Sequence, residues 1–123
     1  MIASIGALLA GGTAGVLLRW GVSVGALAAL GGWLPWGTLV VNLTGCLLIG
    51  FFDALIAKRG LGGPHGRMLL LTGFCGGYTT FSSLILELDS LLRVAPLRGA
   101  GYLLVSVAAG LALFRAGAFL GGH

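Results

Sequence analysis

The residues best able to do chemistry lie together in Gly73-Phe74-Cys75-Gly76-Gly77-Tyr78-Thr79-Thr80-Phe81-Ser82-Ser83-Leu84, in the middle of the uncharged run Met68–Leu86. Paired glycines followed by Thr79, Thr80, Ser82 and Ser83 weaken a helix and supply hydroxyls. At membrane depth, backbone groups freed in this way must be satisfied inside the protein. The pattern predicts a break near Gly76–Thr80, with carbonyls available to a cation as in transporters with discontinuous helices. The competing reading is that each hydroxyl merely bonds back to the preceding turn. Two further polar pairs recur at one-turn spacing: Thr38 with Asn42, followed by Gly45, and Tyr102 with Ser106, whose stripe stops at Gly110. Asn42 is costly in lipid, so it serves either as glue between helices or as the wall of a wet cavity. Arg19 lies in the long apolar stretch 1–29, which holds no carboxylate. It either snorkels to the headgroups or places positive potential at a pathway mouth.

These groups share a sign. Asn amide, Ser, Thr and Tyr hydroxyls, one Arg and the positive ring edge of Phe81 can all face an anion. A small, strongly hydrated anion needs such a chain of donors to replace its water, by the logic that makes carbonyl rings suit cations. Asp53, Glu87 and Asp89 fall near helix ends and are expected as solvated or salt-bridged caps. No acid occupies the centre of a predicted span, which argues against a proton-coupled relay.

The elements that hold these residues follow from composition. Of 123 residues, 58% are hydrophobic and 8% charged, against about 25% charged in a soluble domain. Lipid is therefore the solvent for most of the chain, and disorder is excluded. Seven Lys and Arg against three Asp and Glu give +4, but they form no basic stripe, so nucleic acid is not a partner. Cys46 and Cys75 lack CxxC spacing and read as small packing residues. The amino terminus lacks the basic segment of a signal peptide and reads as the start of the first span.

Apolar runs divide at Gly31-Gly32-Trp33-Leu34-Pro35-Trp36-Gly37, at Gly60-Leu61-Gly62-Gly63-Pro64-His65-Gly66 and at Pro96. The result is one all-α integral membrane domain, 1–123, with four transmembrane helices near 4–28, 37–57, 67–92 and 98–120. Strands of alternating polarity, as a β-barrel needs, do not occur. Flanking cations number four on one side (Lys58, Arg59, Arg67, Arg115) and three on the other (Arg19, Arg93, Arg98). So small a bias permits insertion both ways, and an antiparallel dimer is the assembly that follows if both occur. Gly11/Gly15, Gly21/Gly25, Gly73/Gly77 and Gly117/Gly121 have the four-residue spacing of close helix packing.

Gly11-Gly12-Thr13-Ala14-Gly15 with Arg19, then Trp36-Gly37-Thr38-Leu39-Val40-Val41-Asn42, then Thr72 through Ser83 resemble, in order over essentially the whole chain, the small fluoride channel family (Fluc, also called CrcB). The Gly-Gly-x-Thr-Thr-Phe-Ser core is the most specific element. The resemblance implies an antiparallel dual-topology homodimer with two pores in the cell inner (plasma) membrane, exporting fluoride passively. Neutral hydrogen fluoride enters and dissociates inside, and the anion leak relieves its toxicity. It further implies a structural sodium ion on the dimer axis, bound by main-chain carbonyls at the matching positions Gly76 and Thr79. By the same resemblance Thr38, Asn42, Phe81, Ser83, Tyr102 and Ser106 belong to the ion pathway and Arg19 to its vestibule. Leu84 departs from the family's usual second phenylalanine, and Gly110 replaces an expected polar residue; slower conduction, or pairing with a non-identical subunit, follows from that. A small four-helix multidrug exporter is the rival class, but it needs a membrane-embedded Glu in helix 1, where this chain has Arg19. A non-transporting accessory protein would leave Asn42 and the hydroxyl cluster as unexplained cost. No nucleophile and base fall in an arrangement that supports an enzyme.

Overall fold

The computed structural model describes residues 1–123. Every element is helical, and four helical stretches are long and apolar enough to cross a membrane. Helix α1 (Ile2–Leu30) ends at Gly31, and α2 (Trp36–Arg59) starts directly after Pro35. Gly31, with a left-handed φ of 78°, ends α1, and Pro35, which has no N–H to give to a helical ladder, stands immediately before the first turn of α2. Between them Trp33 and Trp36 meet edge to face, 5.2 Å between centroids, as suits rings at the headgroup level. Helix α2 closes at Gly60, whose left-handed φ of 64° no branched residue adopts readily. Lys58 and Arg59 occupy its last turn, where the carbonyl dipoles attract cations.

The third crossing comes in two halves. The first, α3, is π-helical over Arg67–Cys75 and finishes with a single α turn, Gly76–Tyr78. The second, α4, is Phe81–Val94. Helix α5 (Pro96–Gly122) follows after Ala95, with Pro96 at its first position, where the missing N–H costs nothing. These bounds lie within a few residues of those read from the sequence, the difference expected at helix ends.

Packing divides the bundle into two tightly joined pairs, α1 with α3 and α2 with α5, linked through α1 and α2. Glycines make both seams. Gly11 and Gly15 of α1 lie on the backbone of α3 at Leu69, Phe74 and Tyr78, while Gly73 and Gly77 of α3 lie on Gly12. On the other seam Gly117 and Gly121 of α5 rest on Leu47 and Phe51, and Gly50 of α2 rests on Phe114. Added Cβ atoms at Gly11, Gly15, Gly50 or Gly117 would overlap main-chain oxygens, which cannot move aside. The Gly21/Gly25 pair behaves differently. Both face open space with no neighbour within 4 Å, so the spacing that predicted a seam marks none inside this chain.

Helix α4 is the least embedded. It touches α5 along one stripe and α2 at a few points, and does not reach α1. Only Leu84 and Leu88 of α4 are buried, in a small core with Leu39 and Tyr102. Buried residues number 18 of 123, so most apolar side chains point outward, as in a bundle whose surroundings are lipid or another chain.

Candidate ion pathway

The break between α3 and α4 is two residues long. Thr79 (φ −87°, ψ 162°) and Thr80 (φ −153°, ψ 123°) are extended, so the helical ladder is interrupted at mid-crossing. The side chain of Asn42, reaching across from α2, stands in for the missing helical partners. The Thr80 N–H donates to Asn42 Oδ1 at 2.8 Å, and Asn42 Nδ2 donates to the Thr80 carbonyl at 2.9 Å. One amide thus closes both main-chain groups of Thr80, as a neighbouring strand would. Gly45, one turn further along α2, gives room to the Thr79 methyl; a Cβ there would overlap it.

The hydroxyls divide between two roles. Thr80 Oγ1 accepts from the Ser83 N–H at 3.2 Å and caps α4. Thr79 Oγ1 donates back to the Cys75 carbonyl at 2.8 Å, and Ser106 Oγ donates to the Tyr102 carbonyl at 2.7 Å, the local back-bonding that the sequence left open. Tyr78, 4% exposed, shares a 2.8 Å hydrogen bond with Thr44, whose hydroxyl also donates to the Val40 carbonyl. This bond anchors the end of α3 to α2 immediately before the break.

A cavity of about 360 Å³ opens at this level. Asn42, Cys46, Thr79, Thr80, Phe81, Leu84 and Ser106 line it. Phe81 is 74% exposed and Leu84 is buried, so the two positions three apart in α4 serve opposite surroundings. One turn along α2, a second polar cluster forms around Glu87. Its carboxylate accepts from Thr38 Oγ1 at 2.9 Å and from Tyr102 Oη at 3.3 Å. Thr38 and Tyr102 are buried, and Glu87 is half-buried. A groove of about 800 Å³ leads from this cluster past Ser90 to Trp33, Trp36 and Arg98. At its rim Arg98 lies 5.5 Å over the Trp33 ring and donates to the Trp33 carbonyl at 3.2 Å. The indole Nε1 of Trp36 is buried beside the groove with no acceptor.

The structure therefore gathers Asn42, Thr79, Phe81 and Ser106 on one cavity and brings Thr38 and Tyr102 together one turn away. Ser83 offers only its backbone N–H to the network. Arg19 lines neither space; it is half-buried on α1, one turn beyond Gly15, with no hydrogen bond or ion pair. Of the three acids, two match the expected helix-end pairs: Asp53 with Arg67 at 2.8 Å and Asp89 with Arg93 at 2.9 Å, all exposed. Glu87 does not, since two hydroxyls from other helices hold it in place of solvent. A signal for this was present. Glu87 shares the spacing of Leu84, Leu88 and Leu91, the stripe that α4 turns inward, and an acid on a buried stripe needs donors. Thr44 and Tyr78 carried no comparable signal.

A four-span bundle whose third span is interrupted at mid-depth beside a donor-lined cavity defines a small multi-pass membrane protein with a polar seam across its interior. The family model described as CrcB-like protein, Camphor Resistance (CrcB), matches residues 6–118. The proteins named fluoride-specific ion channel FluC from Rhizobium leguminosarum bv. trifolii and Rhizobium johnstonii are 43% and 44% identical to it over 114 residues, covering 86% of this chain and 91% of each relative. The protein of that name from Chlorobium phaeobacteroides (strain BS1) is 51% identical over 84 residues, 68% of this chain and 65% of the relative. The chain belongs to the CrcB family.

Proposed function

We propose that this protein is a fluoride-selective channel of the bacterial plasma membrane, through which fluoride leaves the cytoplasm passively. The observation that carries the reading is the Asn42–Thr80 bracket at the helix break, set in a cavity lined by the Asn42 amide, Thr80 and Phe81 and by no acid. Such a site replaces the water of a small anion with donors while lipid-facing helices exclude the bulk solvent. The relatives that match most of the chain carry the name fluoride-specific ion channel. Hydrogen fluoride formed outside crosses membranes as a neutral acid, and the conducted anion is the form trapped inside.

Two copies in antiparallel orientation complete this reading. Helix α4 leaves Phe81, Ile85 and Leu86 exposed within one chain, and the half-buried Arg19 has no partner there, an expensive arrangement in lipid. A second copy supplies cover for both, and the near balance of flanking cations permits the opposite insertion. The residues also fit a structural sodium ion. The N–H that would close the helical bond on the Gly76 carbonyl belongs to Thr80, which donates to Asn42 instead. The Thr79 carbonyl accepts no hydrogen bond. These two carbonyls in each of two chains would hold the ion, whose charge would balance carbonyl dipoles left open by the break. Around it, this chain's own residues do the remaining work: Asn42 fixes the break, Gly45 makes room for Thr79, and Tyr78 anchors α3 to α2.

Liposomes that hold only this purified chain and are loaded with fluoride and chloride test the proposal. Fluoride is expected to leave and chloride to stay. A folded sample that releases neither, or both equally, contradicts it.

A further inference from the structure

We propose that Glu87 acts as a tethered anion, its carboxylate holding the seat between Thr38 and Tyr102 that fluoride must take to pass this level. The inference rests on the channel reading above and adds what occupies the site between passages. An ionised carboxylate only accepts hydrogen bonds, as fluoride does. Its two oxygens each take one hydroxyl proton, from Thr38 on α2 at 2.9 Å and from Tyr102 on α5 at 3.3 Å. Each hydroxyl has a single proton, so a fluoride ion and Glu87 cannot both be served by the same pair.

Several features make the seat shared rather than permanently filled. Glu87 has no ion pair. Arg93 is engaged by Asp89, and Arg98, which lines the same groove, is held on Trp33. The Tyr102 contact, at 3.3 Å, is longer than the usual O–H···O bond and so weaker than the Thr38 one. Glu87 also lines the groove that opens toward Trp33 and Arg98, so its side chain has room to swing aside. In return, the buried hydroxyls of Thr38 and Tyr102 keep an acceptor when no ion is present; a buried donor without one is costly. An anion then passes only if it competes with a carboxylate for hydroxyl protons. Fluoride, a stronger hydrogen-bond acceptor than chloride, is the better competitor.

Initial fluoride efflux from liposomes, measured against fluoride concentration, tests this. Glu87→Gln keeps the side-chain shape, removes the charge and frees one of the two hydroxyls. The half-saturating fluoride concentration is expected to fall about tenfold, the equivalent of one charge-assisted hydrogen bond no longer contested. Adding Thr38→Val to Glu87→Gln should abolish that gain, because the freed donor is then missing. An unchanged half-saturation in Glu87→Gln overturns the proposal. So does a gain that survives Thr38→Val undiminished, since charge alone would then be acting. A parent chain that conducts no fluoride removes the channel reading and the proposal together, a result distinct from failure of the variants alone. A measurement on the unmodified protein needs no variant to fold. Glu87 is the only glutamate in the sequence, so ¹³C-labelled glutamate reports it alone by infrared difference spectroscopy. Fluoride should shift its carboxylate stretch and chloride should not; a band indifferent to fluoride contradicts the displacement.

Discussion

The two halves of the third crossing, α3 and α4, belong to one apolar run yet meet opposite fates. α3 lies on α1 through glycines on both sides of the seam, ends with the buried Tyr78, and is underwound into a π-helix along the way. α4 is an ordinary amphipathic α-helix that buries one narrow stripe and leaves Phe81 and Leu86 more than 70% exposed. The contrast shows where each half finds its partners. α3 is completed by its own chain, and α4 is left for something outside it. Asn42 stands at the junction, satisfying the backbone that neither half can.

The comparison breaks most completely on the glycine side. A Cβ at Gly15 would overlap the Phe74 carbonyl and lie 2.8 Å from the Tyr78 nitrogen. Gly15→Leu is therefore expected to abolish folding, well beyond the roughly 1–3 kcal/mol of ordinary overpacking. Size-exclusion chromatography should find aggregate and no monodisperse species. On the α4 side the expected loss is of function. Phe81→Ala should cut fluoride efflux at least about tenfold, one lost anion contact, and leave the chromatographic profile of the folded protein unchanged.

Smaller effects sharpen the contrast. Leu84 packs on Leu39, Leu88 and Tyr102 but also borders the cavity, which has space for a ring. Leu84→Phe should raise fluoride efflux a few-fold by adding a ring edge; equal rates in the two proteins would show that the second aromatic is dispensable here. Asp89→Asn removes an exposed one-turn ion pair on α4. Its effect on stability in denaturant should stay within about 0.5 kcal/mol.

Helices, loops and the break were legible in the sequence because each depends on local chemistry: apolar length, Gly-Pro punctuation, and paired glycines followed by hydroxyls. The same local reasoning placed Asn42 on a polar stripe. What it could not show was the partner, because Thr80 lies 38 residues away and only packing brings it within reach. Glu87 was misread for the same reason: Thr38 and Tyr102 belong to other helices, while its place near the end of a span suggested a solvated or salt-bridged cap. Spacing alone also failed to separate Gly73/Gly77, pressed against α1, from Gly21/Gly25, which press against nothing. The π-helical winding of Arg67–Cys75 has no compositional mark in the sequence.

The central claim is that Asn42 builds the pathway by bracketing the break, and fluoride efflux from liposomes containing Asn42→Ala tests it most directly. The prediction is a folded protein, unchanged in size, whose fluoride release falls at least about a hundredfold, as expected when a paired amide at a conduction site is lost. Release at the parent rate would contradict the account.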